Sequence, residues 1–520
     1  MMDRKTLLAL ILCLIIPIAW QKFVLQDYPQ QTPVTQTAPQ TQLQQPETVS
    51  QGTSPSLNQQ PKPSVPVKTS SRPAKTVTLK TGTGDATIGD GQHFFVGWNL
   101  KSYKLGIAPQ AAAVDMQSVT HQPGEVSLAF DQLGYLNDVQ GNLSQTPNGA
   151  VWHYEDANIK LTREFSSTEA QPYVDVRVTA EFKSKRPNYA FVSLASQTFD
   201  KDPEAQDRNL IYFTKDSTER VTLTDVALKE VPTPVKYIAA SNRYFLISAV
   251  ASSSTLPNAL VQPGPSQSAG KINMVYPISG NTLSIPLKVY FGPKELDILR
   301  KVDPTLDHTV DFGWFTVFAY PLLTFLKWLY QFFHNYGLAI IVLTVLLKVA
   351  TYPLTYKSMK SMKKMAKMQP QLQRLREKHK DDKEALNREM LTLMKNGGYN
   401  PMAGCVPLLI QMPIFFALYR VLYSSIELYH APFLFWIKDL SSHDPFYVTP
   451  VLLTGVMYVQ QKLTPNTATD PAQAKMMQFM PVMFGAFMVS LPSGLTIYML
   501  ANALASVVQQ LILNKKLKEA

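Results

Sequence analysis

The 520-residue chain is poor in the residues that carry covalent and redox chemistry. Its two cysteines, Cys13 and Cys405, both lie in apolar stretches far apart, so neither a disulfide framework nor a thiolate metal site is expected. The eight histidines are scattered. His93, His121 and His153 lack the sequence partners that a metal or a general base needs, and read as structural. The apolar segments after residue 336 contain no Asp or Glu, where a proton-coupled transporter needs an intramembrane carboxylate. They hold no Walker A motif, no paired carboxylates and no Ser/His/Asp set, so neither an enzyme nor a cofactor is expected. No inverted repeat is evident in them. A cleavage pattern of small residues is also missing near the start, where the run ends Pro17-Ile18-Ala19-Trp20-Gln21. Residues 1–25 therefore read as a retained anchor with a basic leader, its N-terminus in the cytoplasm.

The chain does have charge in one place and apolar runs in several. Residues 26–312 hold 25 Lys+Arg against 27 Asp+Glu, whereas 357–400 hold 12 against 5. The net +11 is thus local and flanks an apolar segment, which is the positive-inside pattern rather than a nucleic-acid face. Residues 26–73 are rich in Gln, Thr, Ser and Pro, and read as a flexible tether. From 74 to 300 apolar and polar residues alternate, as in Val174-Asp175-Val176-Arg177-Val178 and Ile159-Lys160-Leu161, with turn signals between the runs. Period two predicts one large antiparallel β-sandwich, ending in a short helix over 294–300. An aromatic stretch, 313–336, follows inside the linker 301–336. It joins 337–353 into an apolar run about twice as long as the roughly 20 residues of one span. A break at Asn335-Tyr336-Gly337 would leave 314–334 as a helix lying on the outer membrane surface.

The first core span, 337–356, carries Lys348. A charge near mid-membrane costs about 2.5–3.5 kcal/mol and usually faces protein or a hydrated cavity, although snorkelling to the headgroups gives a similar depth. Residues 357–400 predict a cytoplasmic helical hairpin. It has Met359, Met362, Met365 and Met368 at every third position, Pro370 interrupting, and Asp381-Asp382 opening a second arm striped by Leu386, Met390, Leu393 and Met394. Its methionines read as hairpin core or as an adaptable surface for apolar peptides, and its lysines as contacts to anionic headgroups. Residues 401–514 hold four further spans and 515–520 a basic tail. The expected architecture is a polytopic α-helical membrane protein of six spans, five forming the core bundle, with both termini cytoplasmic and the β-sandwich outside. One span, 476–491, would cover only about 24 Å of a hydrocarbon core about 30 Å thick. Helix-breaking prolines and scattered polar side chains, with Lys348, suggest a hydrated groove.

Four stretches closely resemble one family. They are Tyr399-Asn400-Pro401-Met402-Ala403-Gly404-Cys405, Pro407-Leu408-Leu409-Ile410-Gln411-Met412-Pro413, Trp436-Ile437-Lys438-Asp439-Leu440 and Pro492-Ser493-Gly494-Leu495. The chain resembles the YidC/Oxa/Alb membrane protein insertases, and its order of parts resembles the Gram-negative YidC form. The resemblance implies an insertase and folding chaperone of the bacterial inner membrane, with a periplasmic β-domain. It would act on newly made membrane proteins, alone or with the Sec translocon. Ribosome or targeting factors would meet the hairpin and tail. It also implies a hydrophilic groove closed to the periplasm, holding Lys348 where the family usually has Arg, with Thr344, Gln411 and Tyr498. Met359, Met362, Met365, Lys363 and Lys364 would contact lipid or substrate. The classes left beside it are a small-solute transporter and a membrane-anchored periplasmic ligand-binding protein.

Overall fold

The computed structural model describes residues 75–519 except 92, 117–124, 185, 199–206, 216, 267, 380–381, 383, 387, 390–391, 393–405 and 465–470. The expected anchor, the tether and His121 lie outside these residues. Strands fill the chain from Thr76 to Pro293, and every pairing among them is antiparallel. Nine strands form the main sheet, in the order Thr218–Thr222, Asn209–Thr214, Val235–Ser241, Phe245–Ala251, Thr282–Pro293, Val174–Phe182, Ile159–Ser166, Gly149–Glu155 and Asn142–Thr146. A five-stranded sheet faces it, and a four-stranded sheet, Thr76–Asp115, closes one side. Val174–Phe182 buries alternate residues, as its period of two predicts. Between the sheets the Trp98 and Phe291 rings stack 4.8 Å apart, and Phe95 meets both edge-on.

Phe245–Ala251 is buried at every position. A strand with only one covered face would alternate. Its second face is covered by the helix that follows the sheets, α1 (Leu296–Val302), and by the turns over 304–312. The helices that follow include α2 (Thr316–Phe333), α3 (Tyr336–Lys367), α4 (Gln369–Lys378), α5 (Val406–Ser424), α6 (Val448–Leu463), α7 (Pro471–Met488) and α8 (Ser493–Glu519). One apolar core runs through the layers. It joins Tyr237, Leu246 and Tyr290 of the sheet to Leu299 and Phe312, then to Leu323 and Leu326 of α2, Ile340 and Leu343 of α3, and Leu418 of α5. The β-domain is thus packed onto the bundle, not merely strung to it.

The break between α2 and α3 falls where the sequence predicts it. His334 takes a left-handed conformation (φ 49°) and returns its N–H to the Tyr330 carbonyl. The Asn335 side chain then accepts from the Leu338 N–H at 3.0 Å, capping α3. Gly337 lies so close to the Phe433 ring that a Cβ would overlap it. Past Pro353, α3 continues to Lys367. The continuation is built of Lys, Met, Ser and Ala, none of which breaks a helix. Pro370 opens α4, within its first turn. In the second arm of the hairpin the Asp382 carboxylate accepts from the Glu384 and Ala385 N–H groups at 3.0 and 2.9 Å. The side chains of Met390, Leu393 and Met394 lie outside the described residues.

The expected count of six spans is not confirmed. Among the described residues two helical stretches are long and apolar enough to cross a membrane, Tyr336–Lys364 and Ser493–Lys516, and Met476–Met488 is apolar but shorter. α6 has 16 residues and ends in Gln460, Gln461 and Lys462, so it is short for a span.

Candidate functional site

α3 and α8 pack side by side, and α5 contacts both. On α3, Thr344 is buried and turns its hydroxyl back to the Ile340 carbonyl, 2.7 Å away, as membrane threonines do when no other partner is at hand. One turn on, the Lys348 ammonium donates to the Ser506 hydroxyl of α8 at 2.9 Å. Ser506 in turn donates to the Asn502 carbonyl at 2.8 Å. Across from them the Gln411 amide of α5 donates to the Tyr498 hydroxyl of α8 at 3.2 Å. The structure thus brings Thr344, Lys348, Gln411 and Tyr498 together around one small cavity, lined also by Leu347, Thr351, Ile414 and Asn502. Its free interior is about 10 Å³, room for about one water. Among the described residues these side chains thus enclose a small cavity, not an open groove.

Asn502 and Ser506 did not stand out in the sequence, yet a signal was there. Tyr498, Asn502, Ser506, Gln510 and Asn514 recur at every fourth position of α8, which places neighbours on adjoining turns. The stripe reaches the basic end of the bundle. There the Gln510 amide donates to Thr464 at 3.1 Å and the Lys363 ammonium to the Asn514 carbonyl at 3.3 Å. Of the other hairpin residues singled out in the sequence, Met359 is buried, Met362 is half-buried and Lys364 is exposed. The Met365 side chain lies outside the described residues.

The opposite end of the cavity is covered by the loop between α5 and α6. Asp444 organises it. Its buried carboxylate accepts from the Trp436 indole at 2.9 Å, the Phe446 N–H at 3.0 Å, and both the N–H and hydroxyl of Thr449 at 2.7 and 2.8 Å. Burial alone would push this carboxyl up, but the donors prevail and hold it below the usual aspartate range. The loop then seats on the start of α8 through Gly494 N–H to Leu440 carbonyl, 2.9 Å, and Ser493 N–H to Ser442 carbonyl, 2.6 Å. In the β-domain, His93 pairs with Glu125, and His153 lies 3.2 Å from the Thr162 hydroxyl and 3.3 Å from Glu155. Among the described residues no group of three or more His, Cys, Asp or Glu side chains is placed to hold a metal ion.

Two family models match the chain: "60Kd inner membrane protein" over residues 328–520 and "YidC periplasmic domain" over 152–325. A membrane protein insertase YidC of Maridesulfovibrio salexigens is 32% identical over 554 aligned residues, covering 99% of both chains. One from Geotalea daltonii is 43% identical over 303 residues, 58% of this chain and 57% of its own length. One from Campylobacter jejuni is 47% identical over 226 residues, 44% and 43% of the two chains. The chain thus spans little more than half the length of several relatives it matches. Among solved structures, an active YidC insertase with its first transmembrane domain resolved is 19% identical, with a TM-score of 0.36 over 84% of this chain and 92% of that one. A galactose mutarotase-like protein from Lactobacillus casei is 10% identical, with a TM-score of 0.31 over 42% of this chain and all of its own.

Proposed function

The chain belongs to the YidC membrane protein insertases, and from that premise we propose that it inserts and helps assemble integral proteins of the bacterial inner membrane, using the cavity between α3, α5 and α8. The observation that carries the reading is the setting of Lys348. Its ammonium donates to a hydroxyl, and among the described residues it has no carboxylate partner. A hydroxyl is a weak competitor for a charged donor. An acidic residue of an entering tail would therefore displace Ser506. At about 4 Å and an effective dielectric of about 20, the attraction is about 4 kcal/mol before desolvation is counted. Lysine supplies charge here without the planar fork of the arginine usual in the family.

Entry needs room that the closed cavity lacks. α5 is tied to α8 by the Gln411–Tyr498 hydrogen bond, and parting these two side chains opens the cavity along α5. Tyr498, Thr344 and Thr351 then offer polar contacts to the tail, which lowers its cost of leaving water. The stripe Asn502–Asn514 on α8 leads toward the cytoplasmic end, and the loop held by Asp444 blocks the periplasmic end. The substrate's apolar segment leaves sideways into lipid. The step forms no covalent bond and uses no nucleotide. Met359, Met362, Met365, Lys363 and Lys364 would meet lipid or substrate at the cytoplasmic face. The hairpin and tail would meet ribosome or targeting factors, and larger substrates would be shared with the Sec translocon.

The test is Lys348→Ala against Lys348→Arg, read as protease protection of the translocated tail of a small membrane protein. Lys348→Ala is expected to slow insertion of tails carrying Asp or Glu by about tenfold or more and to spare neutral tails, whereas Lys348→Arg retains both. Normal insertion of acidic tails by stably expressed Lys348→Ala would rule the attraction out.

A further inference from the structure

Between α2 and the edge of the nine-stranded sheet lies a groove of about 1280 Å³. Three faces of α2 explain its position. Ala319, Leu323, Leu326 and Leu329 are buried against the bundle, while Phe318, Phe325, Trp328 and Phe332 are exposed. Between these stripes runs a polar one, Thr316, Tyr320, Thr324, Lys327 and Gln331, spaced for one helix face, and all five line the groove. Phe325 and Trp328, their rings stacked 5.3 Å apart, line it as well. The groove therefore runs beside the exposed aromatic stripe, with the β-domain as its other wall.

The charges lining the groove are paired across it. Arg220 lies 3.7 Å from Asp311, Arg300 donates to Asp307 at 2.9 Å, and Lys327 donates to Asp297 while also lying 3.7 and 3.6 Å from Glu295 and Glu427 behind it. Three cations and three carboxylates thus line one cleft with aromatic carbon at its lip.

We propose that this groove binds a zwitterionic phospholipid bearing a phosphodiester and a primary ammonium, its headgroup among the ion pairs and an acyl chain along Phe325 and Trp328. The assignment rests on reading α2 as lying on the outer membrane surface. A purely anionic headgroup would satisfy the cations and leave three carboxylates facing its phosphate. A quaternary ammonium has no N–H to donate. A primary ammonium has three donors for Asp297, Asp307 and Asp311, while the phosphodiester takes Arg220, Arg300 or Lys327. The volume exceeds that of a usual small-ligand site, about 300–1,000 Å³, and suits a headgroup with its glycerol.

The full chain is reconstituted into bilayers that mix ethanolamine, choline and glycerol phospholipids, with one class at a time brominated near the top of its acyl chains. The fluorescence difference between the native protein and Trp328→Phe isolates Trp328. Brominated ethanolamine lipid is expected to quench Trp328 about threefold more than its mole fraction predicts. The preference is expected to vanish in Arg300→Gln/Asp307→Asn and in Thr324→Phe, which fills the groove from an exposed position. Equal quenching by all three lipids places α2 in the membrane surface but overturns the site. A preference that survives both variants puts the lipid elsewhere and overturns it too. No quenching by any lipid removes the surface position of α2, and the proposal with it.

Discussion

Asp444 shows what one buried carboxylate does for the loop above the cavity. It is buried, with four donors around it. Asp444→Ala would leave the Trp436 indole and two backbone N–H groups without acceptors. At about 1–3 kcal/mol for each orphaned donor, a loss of about 3 kcal/mol or more is expected, seen as a lowered thermal midpoint of the purified protein. Asp444→Asn keeps one acceptor oxygen and should lose less. The sign with pH follows from the depressed carboxyl. The folded state holds the ionised form, so the contribution is complete above the unfolded aspartate range and is lost as pH falls through the lower folded value. In the native protein the midpoint should fall on acidification, and in Asp444→Asn that part of the fall should be absent. The sequence does not single out Asp444, because its worth depends on Trp436 and Thr449 converging from both sides. Lys348, Thr344, Gln411 and Tyr498 were legible because polar side chains stand out against apolar spans. Ser506 was not, since a lone serine in a membrane helix is common.

At the scale of elements, α7 packs against α6 beside Gly485. A Cβ there would enter the Thr454 side chain, so the two helices touch through bare backbone, as small residues allow in membranes. Gly485→Leu is expected to push α7 away from α6 and cost about 1–3 kcal/mol of overpacking. A cysteine pair set across the native contact would cross-link more slowly, while α3 and α8 would stay in place. Strands were legible wherever one face is covered, as in Val174–Phe182. Phe245–Ala251 was not, because α1 and the turns over 304–312 cover its second face and erase the alternation. Alternation also names a face and never a neighbour, so the order of the nine strands had no local signal.

For the whole molecule, the junction between β-domain and bundle is electrostatic as well as apolar. Lys327 of α2 sits among Glu295 and Asp297, near the end of the β-domain, and Glu427, just past α5. Three carboxylates share one ammonium. Burial pushes the Glu427 carboxyl up, and Glu295 adds to this while Lys327 opposes it; hydrogen bonding to Lys327 holds Asp297 down. For Glu427 the folded state binds the proton more tightly than the unfolded one. Its contribution is therefore greatest in acid and is lost as pH rises through its raised value. Glu427→Gln keeps the shape and removes the charge, so at neutral pH the junction should become no weaker and slightly tighter. Its stability should also stop declining above the usual glutamate range. Thermal midpoints of the native protein and Glu427→Gln across that window provide the check.

The unbroken core from sheet to bundle has a further consequence. A chain with a β-part and a helical part suggests two units that melt separately. Here Leu246, Phe312, Leu326 and Leu343 belong to one cluster, so neither part can loosen without exposing the other's apolar surface. Parts that differ in fold and in solvent then form a single cooperative unit, and displacement of the β-domain by a binding partner would be felt as strain at the start of α3.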